Sequence, residues 1–315
     1  PGAAINLATL WFALLVWGMA MGAMDVAMNA QGVSVEGYYG RPVLSSFHAI
    51  WSIGSFLGAL LGAAGAALGV HIAVQQAVIG AVLAAVVLVV ARHLLPDPAS
   101  VSAAPSTPTR EPRRRRLRLP RAPQTRLVIL GVSAIFALMA EGAVADWSAV
   151  LLREHLHVPG SHAGFAYAAF CVTMTGGRFA GDRLVLLLGR ARCFAAVSLI
   201  GAIGLGFGLL GDSFGTAVGG FALLGVGLSI MVPTLYSTAA DTDGPSGPAI
   251  AAVAALGCVG MLVGPSLIGL VAQLTSIESA LYLLPPFTLA AGALGVAGIR
   301  LSRRGMAKPA HPHYS

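Results

Sequence analysis

Glu141 is a carboxylic acid inside an apolar stretch that runs from Leu127 to Leu151. If that stretch is a helix, Glu141 lies roughly 21 Å along it from Leu127, at about 1.5 Å per residue. A carboxylate at such a depth in a bilayer is costly and usually faces a cavity or a polar partner. Glu141 could therefore exchange protons beside a moving solute, or it could be a structural carboxylate bonded to a neighbouring helix.

A second set of candidate polar residues lies on two neighbouring apolar stretches. Asp25 and Asn29 are spaced so that they share one face of a helix, and His48 lies early in the next apolar stretch at a similar depth. We expect these three side chains to form a cluster that lines a cavity, where a histidine could relay protons because it titrates near neutrality. The alternative is a set of interfacial polar residues with a packed histidine, since polar groups in membranes find partners in either case.

Asp146 and Trp147 follow Glu141 on the same stretch, near its outer end. They are further candidates for binding the solute or protons. Tryptophan is enriched at membrane–water interfaces, so the simpler interpretation is an interfacial pair in which Asp146 is solvated.

Other reactive residues lack the spacing of a catalytic or metal site. Cys171, Cys193 and Cys258 each lie in an apolar stretch and match no zinc pattern. His155, His157 and His162 are close together, but we expect them to be solvated in a short loop. The sequence contains no H-E-x-x-H, G-x-S-x-G, P-loop or dinucleotide motif. We therefore predict no metal, no cofactor and no enzymatic activity.

Composition indicates what must position these residues. The chain is 57% hydrophobic and only 10% charged, whereas a soluble domain carries about 25% charged residues. Crossing a bilayer takes about 20 mostly apolar residues, and nine stretches qualify. We predict membrane-spanning helices at residues 4–28, 43–68, 72–90, 127–151, 163–180, 193–210, 215–239, 249–271 and 280–298. The positive charges lie in loops between these stretches, which argues against nucleic-acid binding.

The charged loops also predict topology and domains. Residues 96–126 form a Pro- and Arg-rich strip that is too polar to pack a core. With this strip in the cytoplasm, almost every basic residue falls on the cytoplasmic side, as the positive-inside rule requires. We predict a partial N-terminal bundle at 1–95, the cytoplasmic linker at 96–126, a six-helix bundle at 127–301 and a cytoplasmic tail at 302–315.

Four stretches of the sequence resemble a known protein family. GGRFAGDRLVLLLGR (176–190) resembles the loop motif of the major facilitator superfamily. GAMDVAMNAQGVSVE (22–36), GRPVLSSFHAIWSIGSFLGA (40–59) and AEGAVADWSAVLLRE (140–154) resemble the bacterial branch that includes the YbjJ-type inner-membrane transporters and is distantly similar to fucose permeases. They match the fourth, fifth and seventh helices of that branch, so nine of twelve helices would be present and the first three absent.

The resemblance implies an all-α membrane protein with two pseudo-symmetric bundles and a cavity that opens alternately to each side. It also implies a conformational latch, in which small residues form a tight turn and charged residues fix one state. The latch residues would be Gly177, Gly181, Asp182, Arg183 and Arg190. The same resemblance makes Asp146 a candidate residue of the outer gate.

Together these observations predict a secondary active transporter of the bacterial cytoplasmic membrane, which moves a small solute by alternating access and is coupled to protons. We expect a multi-pass monomer whose partners are the solute, protons and the lipid bilayer. Two alternatives stay open. One is a multidrug-type exporter, and the other is a membrane scaffold or sensor that binds a partner or anionic lipid through the linker arginines.

Overall fold

The computed structural model describes residues 5–94, 124–159, 162–241 and 246–306, and within these ranges the regular structure is entirely helical. Most of the predicted linker, and the tail beyond residue 306, lie outside the described residues. The helices, numbered here in chain order, are α1 (Leu7–Tyr39), α2 (Leu44–Ala67), α3 (Ile72–Ala91), α4 (Gln124–Val150), α5 (Phe165–Leu188), α6 (Arg190–Leu210), α7 (Phe214–Leu228), α8 (Met231–Ala240), α9 (Ser246–Leu274), α10 (Ile277–Leu281) and α11 (Leu284–Met306).

The predicted membrane segments correspond to these helices one for one, with two of them divided. Seven spans among the described residues are long and apolar enough to cross a membrane. The remaining two helices, α2 and α5, have 24 residues each, about 36 Å of helix, and are also long enough to cross. The fold is therefore that of an all-α, multi-pass membrane protein.

Several predicted boundaries are wrong, including that of the fifth segment, which was expected to end at residue 180 whereas α5 continues to Leu188. The first segment was expected to end at residue 28, but α1 continues to Tyr39 and ends at Gly40, which adopts a left-handed conformation with φ 63°. Glycine makes such a helix end possible without steric cost, and polar residues continue the helix towards water. α4 begins at Gln124, within the predicted linker, and α11 continues to Met306, within the predicted tail.

Prolines explain the two divided spans. A turn at Ser229–Ile230 separates α7 from α8, and Pro233 follows in the first turn of α8. A turn at Tyr282–Leu283 likewise precedes Pro285 and Pro286 in α11. Proline lacks an N–H donor and is best tolerated in the first turn of a helix. Pro265, by contrast, lies inside the uninterrupted helix α9.

The buried core is concentrated in helices α4 to α11. α4 packs against α9 and α11, while α7 packs against α5 and α6. Side chains at Gly260 and Gly264 would collide with the backbone of α4, so these glycines allow α9 and α4 to approach closely. Gly54, Gly58 and Gly62 of α2 differ, because a Cβ added at any of them would have no neighbour within 4 Å.

Helices α1 to α3 form the smaller part, and most of their side chains are exposed. They meet the larger part where α2 packs against α5 and where α1 packs against α9. We call the end of the molecule at which α3 finishes and α4 begins the linker end, and the opposite end the distal end. Because successive spans alternate in direction, the first residues of α2 and the last residues of α1 and α5 also lie at the linker end.

Candidate functional site

A hydrogen-bonded chain of polar side chains begins on α1. The Asn29 amide Nδ2 donates to Oδ1 of Asp25 over 3.0 Å and to the Asp25 carbonyl over 2.8 Å. The Asn29 Oδ1 lies 3.0 Å from Nε2 of His48 on α2. Asn29 is only 1% exposed, so its bonds hold Asp25 and His48 in fixed positions. The structure thus brings together the three residues that were expected to converge.

Arg178 on α5 extends this chain across the interface between the two parts. Its side chain is buried, and Nη1 donates to Oγ of Ser52 over 2.5 Å and lies 3.5 Å from the carbonyl oxygen of His48. Its Nη2 lies 3.8 Å from Oε1 of Glu141 on α4. One guanidinium therefore contacts α2 on one side and faces a carboxylate of α4 on the other.

Tyr236 on α8 connects the other end of the chain back to the larger part. Its hydroxyl lies 3.5 Å from Oδ2 of Asp25, a long hydrogen bond in which the phenol donates. Its ring centroid is 6.2 Å from that of His48. The polar chain therefore starts at Glu141, crosses to α2 and α1, and returns at Tyr236. We call this set of residues the interface chain (Glu141, Arg178, Ser52, His48, Asn29, Asp25 and Tyr236).

Asp182 forms a second connection at the linker end. Its Oδ1 accepts the backbone N–H of Ser45 over 3.0 Å, and its Oδ2 accepts the N–H of Ser46 over 2.9 Å as well as the Ser46 hydroxyl. These donors belong to the first turn of α2, whose N–H groups have no partner within the helix. A carboxylate at this position satisfies them and interacts favourably with the helix dipole. Asp182 is 8% exposed, so α5 caps α2 with a buried charge.

The other four predicted latch residues do not take part in the Asp182 cap and have different surroundings. A Cβ at Gly181 would collide with Ile230 and crowd Ser45, and one at Gly177 would collide with Ser229, so both glycines allow close helix approach. The Arg190 Nη1 pairs with Oδ2 of Asp241 at 2.7 Å. Arg183 is exposed and has no recorded ion pair within the described residues.

Glu36, near the end of α1, adds another contact between the two parts. Its Oε2 accepts the hydroxyl of Ser237 on α8 over 2.5 Å. Next to this contact, the Arg126 Nη1 donates to the carbonyl oxygen of Asp241 over 2.8 Å. The Asp182 cap and the Glu36–Ser237 bond thus join α2 to α5 and α1 to α8 at the linker end.

Asp146 and Trp147 do not belong to the interface chain. The Trp147 indole N–H donates to the Pro265 carbonyl over 2.9 Å, which fixes α4 against α9, while Asp146 is exposed. Of the three histidines expected in a solvated loop, His155 lies in the π-helical turn after α4, with its side chain 28% exposed. Its Nε2 lies 2.9 Å from Asp212 Oδ1 and 3.4 Å from Glu278 Oε2, because the π-helical turn after α4 brings it against these acids.

Sequence reasoning missed Arg178 as a site residue, although it bonds α5 to α2 and faces Glu141 of α4. Arg178 was counted among the arginines that define topology, yet it is buried at the centre of the interface. A signal was present, because an arginine within an apolar stretch is costly and Arg178 precedes Asp182 by about one helical turn. Glu36 and Ser45 carried no comparable signal, since their partners lie far away in sequence.

A family model described as Major Facilitator Superfamily matches residues 2–247 and, separately, residues 130–312. The chain belongs to the major facilitator superfamily. An uncharacterised MFS-type transporter of Yersinia pestis is 36% identical over 274 residues, covering 87% of this chain and 68% of that protein. An uncharacterised transporter of Sinorhizobium fredii, y4wD, is 32% identical over 287 residues, covering 91% and 73%.

A solved structure supports the fold. The crystal structure of a single-residue variant of the Escherichia coli fucose:proton symporter FucP matches with a TM-score of 0.68 and 16% identity, covering 95% of this chain and 78% of that one. At this identity the match shows the fold alone. Family and fold together make the chain a membrane transport protein and not an enzyme, while the narrower YbjJ-type branch and the three absent helices stay predictions.

Proposed function

We propose that this transporter moves a small polar solute by alternating access and couples that movement to protons. The interface chain is the observation that supports the proposal, because it places polar and ionisable groups between the two parts of the molecule. Carboxylates inside a membrane protein are retained chiefly where a solute or an ion passes. In transporters of this kind the solute site lies between two rigid bundles that rock about it.

The contacts at the linker end support the alternating part of the proposal. Opening that end requires α2 to leave the Asp182 carboxylate and α1 to leave Ser237. We therefore infer that the described conformation is closed at the linker end. We place this end in the cytoplasm, because the arginines of the linker and of the neighbouring loops cluster there.

Glu141 and Asp25 are the residues that we propose to exchange protons. Glu141 is 25% exposed at its side chain and faces Arg178 beyond hydrogen-bond distance, so its contact with the guanidinium can change as a proton arrives. Asp25 bonds to Asn29 and Tyr236. Protonation of either acid removes one negative charge from the interface chain and alters what holds α1, α2, α4 and α5 together.

Proteoliposomes containing a pH-sensitive dye test this proposal. We expect some members of a panel of sugars, polyols, sugar acids and amines to evoke proton entry through the wild type. Glu141→Gln and Asp25→Asn should each abolish the solute-evoked proton flux, because neither amide can take up the proton.

A suitable control is Glu154→Gln, which changes an exposed glutamate that is paired with its neighbour Arg153 on the surface. This variant should keep the wild-type flux. Transport by Glu141→Gln at an unchanged rate and with unchanged pH dependence would contradict the assigned role of Glu141.

A further inference from the structure

The Arg178 guanidinium uses only one side of its fork. Its Nη1 carries the bond to Ser52 and the longer contact with the His48 carbonyl. Its Nε is fully buried and has no hydrogen-bond partner among the described residues. Its Nη2 faces Glu141 at 3.8 Å, which is too long for a hydrogen bond. The edge formed by Nε and Nη2 is therefore unsatisfied in a side chain that is only 8% exposed.

The Nε/Nη2 edge of Arg178 has the geometry to bind a carboxylate. The Nε–H and Nη2–H groups of arginine point in parallel and match the two oxygens of a carboxylate. Buried donors without partners are costly, so they are rare unless they serve a ligand or an alternative state. The unsatisfied edge of Arg178 fits a carboxylate better than a hydroxyl or an amine, because only an anionic acceptor also compensates the buried positive charge.

Glu141 shows from which side such a carboxylate could arrive. Its side chain is 25% exposed, so the unsatisfied edge faces a side chain that the described residues do not fully enclose. Glu141 is close enough to compensate the charge of Arg178 through space, but it does not fill the fork.

We propose that the Nε/Nη2 edge of Arg178 anchors the carboxylate of an anionic, hydroxylated solute, and that Glu141 moves aside when this solute binds. The inference rests on the proposed transport function, for which it names the substrate class. Because Arg178 also bonds to Ser52 of α2, a solute held by Arg178 contacts both parts of the molecule through one residue.

Thermal unfolding of the purified transporter with paired probes tests the anchor. D-gluconate and D-galacturonate should raise the melting temperature, whereas their neutral amides of the same shape should not. Arg178→Lys keeps the charge but not the fork, so the apparent affinity for these acids should fall about tenfold or more. Arg153→Lys changes an exposed arginine outside the interface chain, paired with Glu154 on the surface, and should leave the affinity unchanged.

A second variant keeps the proposal testable if Arg178→Lys folds poorly. Glu141→Gln removes the carboxylate that competes for the unsatisfied edge, so it should bind both acids several-fold more tightly than the wild type. Equal stabilisation by acids and amides, no stabilisation by any acid, or wild-type affinity in Arg178→Lys would overturn the anchor.

The same probes separate this inference from the transport function. If neutral solutes evoke proton flux in proteoliposomes and acids have no advantage, proton-coupled transport is supported and carboxylate binding by Arg178 is refuted. If acids stabilise the wild type through Arg178 but no solute evokes proton flux, carboxylate binding by Arg178 is supported and proton-coupled transport is refuted.

Discussion

Removing the Asp182 carboxylate should open the linker end of the molecule. In Asp182→Ala, the first turn of α2 loses a buried anion that accepts two backbone N–H groups and one hydroxyl. An N-terminal cap contributes about 1 kcal/mol and up to roughly 2, and a charge at the helix dipole adds up to about 1 kcal/mol at an ordinary site. Because this cap joins two parts that separate on opening, nearly all of this energy acts on the conformational equilibrium.

The expected shift is therefore about 1 to 3 kcal/mol, or roughly 5- to 150-fold in favour of states open at the linker end. Asp182→Asn should give a smaller shift, because an amide oxygen can still accept one N–H while the charge is lost. Spin labels on exposed residues of the two parts, such as Tyr38→Cys on α1 and Leu187→Cys on α5, can measure it. The three native cysteines, all free, would be replaced first.

Double electron–electron resonance on this label pair should show a longer-distance population that grows from wild type to Asp182→Asn to Asp182→Ala. Glu154→Ala, which alters an exposed residue of the turn after α4, should leave the distribution unchanged. An unchanged distribution in Asp182→Ala would show that the cap does not hold the linker end closed, and the assignment of Asp182 as a latch would have to be withdrawn.

Two other substitutions test the packing and the interface chain. Asn29→Leu should reduce solute uptake about tenfold or more, because it disconnects Asp25 from His48. The control on the same helix is Ser34→Ala, which removes only a hydroxyl bonded within α1 and should have little effect on uptake. Gly264→Leu should lower the apparent melting temperature by several degrees, a cost of about 1 to 3 kcal/mol from overpacking against Met139 of α4. Gly58→Leu, placed where a Cβ has open space, should not.

The sequence predicted the helices well because the bilayer imposes their length and polarity. The segment expected at residues 72–90, for example, is the helix Ile72–Ala91. The convergence of Asp25, Asn29 and His48 was also predictable, since helical spacing and similar depth suffice to place them together. The prediction of helix ends from apolar stretches failed at α1, where the apolar stretch ends before the helix does, at Tyr39.

The partners of the charged residues were not predictable, because they depend on which helices pack together. The motif around Asp182 suggested a latch, but nothing in the sequence near it indicates that its partner is the first turn of α2. Arg178 was counted only as a basic residue of the cytoplasmic side, because its burial follows from the packing of α5 against α2 and α4. The turn at Ser229–Ile230 likewise depends on tertiary packing, although Pro233 marked its neighbourhood.

Arg178 and Asp182 act on the same pair of helices, and this geometry has a mechanical consequence. They are separated by about one turn of α5, roughly 6 Å, and they bind α2 at Ser52 and at Ser45. Both side chains are buried charges, so each is costly to expose singly while the other still holds the helices together. α2 should therefore leave α5 at both points in one step. A solute that engages Arg178 would thus change the stability of the Asp182 cap without touching it, which links the central site to the linker end through one rigid helix.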